Sequence, residues 1–345
     1  MKKSLIALAV LGLAAGAANA QSSVTIYGSA DISYVKATDQ SVTMSGGAER
    51  DTIYGRASDN TYLGFMGSED LGGGLKATFQ LEKRFNLANG STTIPGFKRA
   101  VADFDGASNV GLSGSFGQFR FGRVNELSTE TYRRLDPFDQ NGVAGALTTP
   151  FRGDDGSGRV SYTARYDSPT LSGFNLGASY TVKNNGADAD DQTNNGWAVS
   201  GTYSNGPLYL VANYNKPVNF YDSYNWNIGG SYAMGALKLS LGYEKSMAKV
   251  TVPTDFKISS WLAGASYRIG NGTINAAYSN LNQDGVGLPL SATLDKYAVG
   301  YTHDLSKRTS VYANYSHIKT EVTGIADDAV TMSSNQWEVG ITHKF

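Results

Sequence analysis

The chain contains no cysteine, which excludes disulfides and thiol chemistry and leaves a secreted protein in need of another source of stability. It has three histidines among 345 residues, a thin supply of the usual general base. Its formal net charge is −1, with no excess of basic residues to attract nucleic acid. Beyond residue 20 there is no apolar run near the roughly 18 residues that a membrane-spanning helix needs. Prolines are few, at 8, whereas glycines number 41 and tyrosines 21. A disordered chain is poor in aromatics, so this composition points to tightly paired strands.

The first residues read as a leader. Met1-Lys2-Lys3 is basic, residues 5–18 are apolar and small, and Ala18-Asn19-Ala20 fits an A-x-A cleavage site. This predicts a secretory signal peptide over residues 1–20, cleaved to leave Gln21 first. The remaining 21–345 read as one domain, because no composition shift interrupts the pattern that follows.

That pattern has a period of two. In 237–243, Leu237, Leu239, Leu241 and Tyr243 share one face, and Lys238, Ser240 and Gly242 share the other. Trp261, Ala263, Ala265 and Tyr267 alternate with Leu262, Gly264, Ser266 and Arg268. Such alternation marks strands between two environments. No segment of the mature chain shows a helical period of comparable strength. Sixteen strands are expected, centred near Ala30, Gly64, Gln80, Gly111, Phe121, Thr163, Gly177 and Gly201. The other eight centre near Val211, Gly229, Leu241, Gly264, Ala277, Val299, Ala313 and Gly340. Tight turns such as 70–74, 115–118, 205–207 and 270–272 alternate with long polar connections such as 86–104, 124–157 and 183–195. Short alternating with long is the signature of an up-and-down antiparallel meander with unequal ends.

The two faces decide between a soluble sandwich and a membrane barrel. A sandwich core needs large apolar side chains packed at crystal-like density. Here the apolar rows end in aromatics with polar tips, among them Tyr34, Trp197, Tyr214, Trp226, Tyr232, Tyr243, Trp261, Tyr267, Tyr297 and Trp337. Two such girdles around an apolar band mark a transmembrane β-barrel. The opposite rows carry Thr, Ser, Asn, Gly and charges such as Lys76, Glu82, Arg84, Arg120, Arg165, Lys238 and Glu244, which suit water. Sixteen closed strands leave an aqueous channel and no unpaired edge. The final WEVGITHKF then reads as the closing stave, with Phe345 in the lipid-facing row of Trp337, Val339 and Ile341.

Several stretches resemble the general porins of Gram-negative outer membranes, in particular the β-proteobacterial and neisserial type. They are SSVTIYGSADISY (22–34), LGFMGSEDLGGGLKATFQLE (63–82), NVGLSGSFGQFRFGR (109–123), DPF (136–138), LSKRTSVYANYSHIK (305–319) and WEVGITHKF (337–345). The resemblance implies an outer-membrane, all-β, sixteen-stranded up-and-down barrel with its third long loop, 124–158, folded into the lumen and narrowing it. It further implies a homotrimer in outer-membrane lipid and lipopolysaccharide, with Phe345 recognised by the barrel-assembly machinery. Passive passage of ions and small hydrophilic solutes follows, with no cofactor and no metal. In relatives an Arg often precedes the LGF run and a Lys follows it. Here the run is Thr61-Tyr62-Leu63-Gly64-Phe65-Met66, which argues against strong anion selectivity.

A channel of this kind selects through charge and width. Arg84, Arg120, Arg123 and Arg165 are the candidate positive charges of the wall. Arg159 and the pair Lys98-Arg99 match positions that face the constriction in relatives. Glu126, Glu130, Asp136 and Asp139 are the candidate negative charges on the loop. Parity places Arg123 opposite Arg120 unless the strand ends or bulges between them. Three rivals are weighed against the channel. An enzyme on a barrel needs a catalytic cluster, but His303, His317 and His343 all fall on outward rows. A structural barrel would plug its lumen. A substrate-specific channel needs an aromatic slide, and the inward Tyr27, Tyr209 and Tyr312 are scattered. Asp188, Asp190 and Asp191 form an acidic loop that reads as solvated.

Overall fold

The computed structural model describes residues 23–40, 48–54, 61–92, 103–148, 158–183, 194–218, 223–249, 255–286, 290–324 and 329–345. Residues 1–20, where a leader is expected, and Lys98, Arg99, Asp188, Asp190 and Asp191 lie outside them. The strands are β1 (Ser23–Gln40), β2 (Ala48–Tyr54), β3 (Tyr62–Gly72), β4 (Leu75–Arg84), β5 (Ser108–Gly114), β6 (Gly117–Asn125), β7 (Arg159–Asp167) and β8 (Phe174–Thr181). They continue as β9 (Gly196–Asn205), β10 (Leu208–Lys216), β11 (Tyr224–Met234), β12 (Leu237–Ala248), β13 (Asp255–Ile269), β14 (Gly272–Val286), β15 (Ser291–Asp304), β16 (Thr309–Thr323) and β17 (Val330–Lys344).

All belong to one antiparallel sheet, and β17 returns to pair with β1, so the sheet is closed. Each of the sixteen expected centres falls in its own strand. The seventeenth, β2, is not among those expected. It shares a partner with β3: Ser33 of β1 faces Tyr54, and Ser29 faces Tyr62. β2 and β3 are therefore one interrupted stave, and the barrel has sixteen. Thr61 closes the interruption. Its hydroxyl accepts from the Asp31 N–H at 3.0 Å and donates to the Asp31 carbonyl at 2.9 Å. One side chain thus replaces the missing ladder bonds, as a buried backbone requires.

The alternation holds in space. Leu239, Leu241, Trp261, Tyr267, Val299, Trp337 and Val339 are exposed on the outside, whereas Glu244, Ser260, Leu262 and Glu338 are buried on the inside. Outward rings touch across strands: Trp197 with Tyr214 at 5.2 Å, Tyr243 with Trp261 at 4.5 Å, Tyr315 with Trp337 at 4.4 Å. A second series holds Phe119 with Tyr166 at 4.7 Å and Phe174 with Tyr203 at 4.6 Å. On β9 and β13 the two levels, Trp197 to Tyr203 and Trp261 to Tyr267, are six residues apart, roughly 20 Å along a strand. That spacing suits an apolar band between two interfaces. The Gly72–Gly73–Gly74 run is a turn, with φ of +87°, +61° and +81°.

Candidate functional site: a loop braced inside the barrel

After β6 the chain leaves the wall and turns inward. It forms α1 (Leu127–Tyr132) and a 3-10 turn, Arg133–Leu135. The period-two pattern of the sequence gives no hint of this helix. Glu126 caps it, accepting the Thr129 N–H at 2.9 Å and the Ser128 hydroxyl. Asp136 ties the next bend: its carboxylate accepts N–H groups of Phe138 at 3.0 Å, Gln140 at 2.8 Å and Ala146 at 2.7 Å. Burial pushes the Asp136 carboxyl above the ordinary carboxylate range, and these three donors and Lys296 pull against it.

Side chains of the inner wall hold the loop backbone. Tyr209 donates to the Thr131 carbonyl at 2.9 Å, Lys238 to Arg134 at 2.9 Å and Ser240 to Leu135 at 2.5 Å. Farther on, Lys296 donates to Gly145 at 2.5 Å and Ser260 to Leu147 at 3.0 Å, while Ser279 accepts the Leu147 N–H at 3.0 Å. A six-residue helix is marginal by itself. Here the Thr131 carbonyl, orphaned by the end of the helix, is taken up by β10, and the carbonyls of Arg134 and Leu135 in the following turn are taken up by β12.

The charges gather in two wall clusters and one on the loop. In the first, Arg84 reaches Glu82 at 2.5 Å, and Arg159 lies 3.8 Å from the same carboxylate. Tyr27 donates to the other Glu82 oxygen at 3.2 Å, and Arg84 stands over the Tyr62 ring at 5.4 Å. In the second, Asp167 is shared by Arg120 and Arg165, each at 2.7 Å, and Arg165 also reaches Glu130 of the loop at 2.7 Å. Arg120 and Arg165 are direct cross-strand partners, a repulsive pairing that the shared carboxylate relieves. On the loop, Arg133 grips Asp139 at 3.0 Å, and the exposed Arg134 lies over the Tyr209 ring at 5.6 Å. Asn125, Thr129, Glu130, Arg133, Arg134, Asp139 and Arg159 together line an open recess of ≈ 230 Å³.

The expected residues thus part into groups. Arg84, Arg120, Arg159, Arg165, Glu130 and Asp139 join these ion pairs. Arg123 does not; its guanidinium donates to the Asp105 carbonyl at 3.0 Å and the Ser161 hydroxyl at 2.9 Å. The ladder to β7 shifts between Gly122 and Val124, the irregularity that the parity of Arg120 and Arg123 requires. Glu126 and Asp136 do not face the wall arginines, because backbone N–H groups claim their carboxylates. Sequence reasoning missed Glu82 and Asp167 as partners, although both sit two residues from an arginine on the same strand face. It also passed over Arg133 and Arg134, which line the recess; nothing in an irregular loop announces direction.

The histidines lie away from this site on the outer rows. His303 touches the Tyr301 hydroxyl at 3.1 Å, His317 touches Asn335 at 2.9 Å, and His343 touches the Thr309 hydroxyl at 2.9 Å. Among the described residues no group of three His, Asp or Glu side chains could hold a metal ion.

The chain matches the family model of the Gram-negative porin over residues 7–323. It is 32% identical to outer membrane porin protein 32 of Delftia acidovorans and 30% identical to an outer membrane porin protein of Bordetella pertussis, each alignment spanning 100% of both chains. Among solved structures it resembles an anion-selective porin from Comamonas acidovorans, with a TM-score of 0.73, 28% identity, and coverage of 94% of this chain and 100% of that one. An OmpF of Salmonella typhi shares the fold, with a TM-score of 0.65 at 17% identity over 93% of this chain and 97% of that one. The closed sixteen-stave barrel and the whole-length likeness lead to one conclusion: this chain belongs to the Gram-negative porin family.

Proposed function

We propose that the protein is a general diffusion channel: a homotrimer whose water-filled lumina pass ions and small hydrophilic solutes with weak charge selectivity. As a Gram-negative porin it resides in the outer membrane. The observation that carries the reading is the pairing of charge on the inner wall and the loop. Arg84, Arg120, Arg165 and Arg133 each lie within 3.0 Å of a carboxylate. Such pairs produce local transverse fields but little net potential along the axis, so they orient dipolar solutes without strongly favouring one sign.

A substrate-specific channel is less well supported. Its aromatic slide would need free rings in sequence along the lumen. Tyr27, Tyr209 and Tyr312 stand on three separated staves, with hydroxyls donated to Glu82, Thr131 and Asp31. Phe345 is the element we assign to recognition by the barrel-assembly machinery, and the aromatic girdles are those we assign to outer-membrane lipid and lipopolysaccharide.

The test is the reversal potential of purified protein in a planar bilayer across a potassium chloride gradient, with single-channel recording. Open channels with a small reversal potential support the reading. Folded protein that never conducts, or conducts only with one solute class present, overturns it. Chemical cross-linking of the detergent complex separates three chains from one.

A further inference from the structure

Five bulky loop side chains each rest on a glycine of the inner wall. Leu127 lies over Gly177 of β8, Leu135 over Gly229 of β11 and Tyr132 over Gly242 of β12; Pro137 covers Gly264 of β13 and Phe138 covers Gly300 of β15. The fit leaves no room for a Cβ. One added at Gly177 would stand 2.6 Å from Leu127 Cδ2, one at Gly264 would stand 2.6 Å from Pro137 Cδ, and one at Gly300 would stand 2.8 Å from Phe138 Cε1. Carbon atoms pack comfortably at about 3.5–4.0 Å, so each methyl would press its loop side chain back by about 1 Å, and at Gly264 and Gly300 it would also push aside the wall side chains of Ser240 and Asn314.

Three of these positions lie on adjacent staves. Gly229 and Gly242 face each other across β11 and β12, and Gly264 faces Ser240 across β12 and β13. Ser240 is the residue that donates to the Leu135 carbonyl. The bare wall therefore lets the loop approach close enough for the wall hydroxyl to reach its backbone. Tyr132, Leu127 and Leu135 are buried to 2%, 1% and 1% exposure there. The same short segment carries Arg133, Arg134 and Asp139, so a displaced knob moves the aperture charges with it.

We propose that these wall glycines are positioning residues of the channel: sockets that fix the loop, and through it the width and field of the aperture. The proposal rests on the diffusion-channel reading above. It assigns the setting of the passage to five residues that touch no solute.

The test is to insert Gly242→Val and Gly264→Val separately and to record single-channel conductance and reversal potential. Folding is checked by heat-modifiable gel mobility and thermal unfolding. Gly201→Val is the control, because the nearest atom to its added Cβ is 3.8 Å away. The socket variants are expected to fold and to change conductance by about twofold or split it into substates, as a shifted constriction should. Gly201→Val should conduct like the parent. Tyr132→Ala placed in the Gly242→Val background should give a non-additive conductance, since the two side chains compete for one space. Folded socket variants with parental conductance and reversal potential overturn the proposal, as does a Gly201→Val effect of equal size. If the socket variants fail to fold, Tyr132→Ala and Pro137→Gly empty the sockets from the loop side, and parental conductance in both overturns it. A parent that does not conduct strikes at the channel reading instead.

Discussion

Phe345 and Gly28 exchange both of their backbone hydrogen bonds, each 3.1 Å long, and the Phe345 ring lies over the bare Cα of the glycine. A Cβ on Gly28 would stand 2.5 Å from Phe345 Cζ and 2.5 Å from the Tyr62 carbonyl oxygen. The first clash could be relieved by turning a ring. The second is with backbone of the neighbouring stave and could not. The seam of the barrel is therefore a glycine packed between the last residue and β3.

Gly28→Val should accordingly weaken closure by about 1–3 kcal/mol, the cost of overpacking a site that cannot give way. Phe345→Ala should cost about 1–2 kcal/mol through lost ring burial, because the ring is half exposed to begin with. Thermal unfolding in detergent, followed by circular dichroism, measures both. A Gly28→Val barrel as stable as the parent would mean that the seam relaxes in a way this packing does not allow.

Thr61→Val tests the interrupted stave. The substitution keeps the shape and removes the hydroxyl that serves the Asp31 N–H and carbonyl. Leaving buried backbone groups unpaired costs about 1–3 kcal/mol. Amide exchange at Asp31 should accelerate while exchange at Ile341, deep in the β1–β17 ladder, stays slow. Unchanged protection at Asp31 would show that the hydroxyl is dispensable.

Arg165→Met should be the most damaging of the wall substitutions. It strips Glu130 of its wall partner and leaves Asp167 to Arg120 alone. Breaking a buried pair by removing one partner typically costs about 3–5 kcal/mol. Arg165→Lys should recover little, since one ammonium cannot reach two carboxylates as a planar fork does. Midpoints of thermal unfolding decide it, and a full rescue by lysine would refute the role of the fork.

Much of this molecule is legible in its sequence. All sixteen staves follow from alternation, because hydrocarbon outside and water inside impose a period of two on every strand. Tyr297, Val299 and Tyr301 declare their face without help from neighbours. The ion pairs do not follow, because they depend on register. Arg120 meets Arg165 only once β6 and β7 are aligned, and the two carboxylates that steady the wall arginines, Glu82 and Asp167, are visible in the sequence only as same-face residues two positions away. The first half of the second stave, β2, is not legible, because AERDTIY (48–54) places three charged residues in a row and does not alternate. The loop is readable as long and charged but not in its aim. Glu126 and Asp136 look like any exposed acids in sequence, and only the fold turns them toward backbone N–H groups.

The division between charges that brace and charges that face the solute gives the last prediction. Asp136 accepts three N–H groups, so it holds the bend that carries Arg133, Arg134 and Asp139. Asp136→Ala removes every acceptor at once and should loosen the loop, giving noisy conductance and faster proteolysis within 126–148. Asp136→Asn keeps one oxygen but turns a donor toward another donor, so it should lie between the two. Arg134→Ala, by contrast, removes an exposed cation that only rests on a ring. It should leave the unfolding midpoint within about 0.5 kcal/mol of the parent, as surface substitutions do. Its effect should be a reversal potential displaced toward cations, larger at about 0.1 M salt than at about 1 M, where screening shortens the reach of the charge to about 3 Å. Asp139→Asn should displace it the opposite way. If Arg134→Ala altered stability and left selectivity untouched, the exposed guanidinium would belong with the braces and the assignment of the aperture charges would fall.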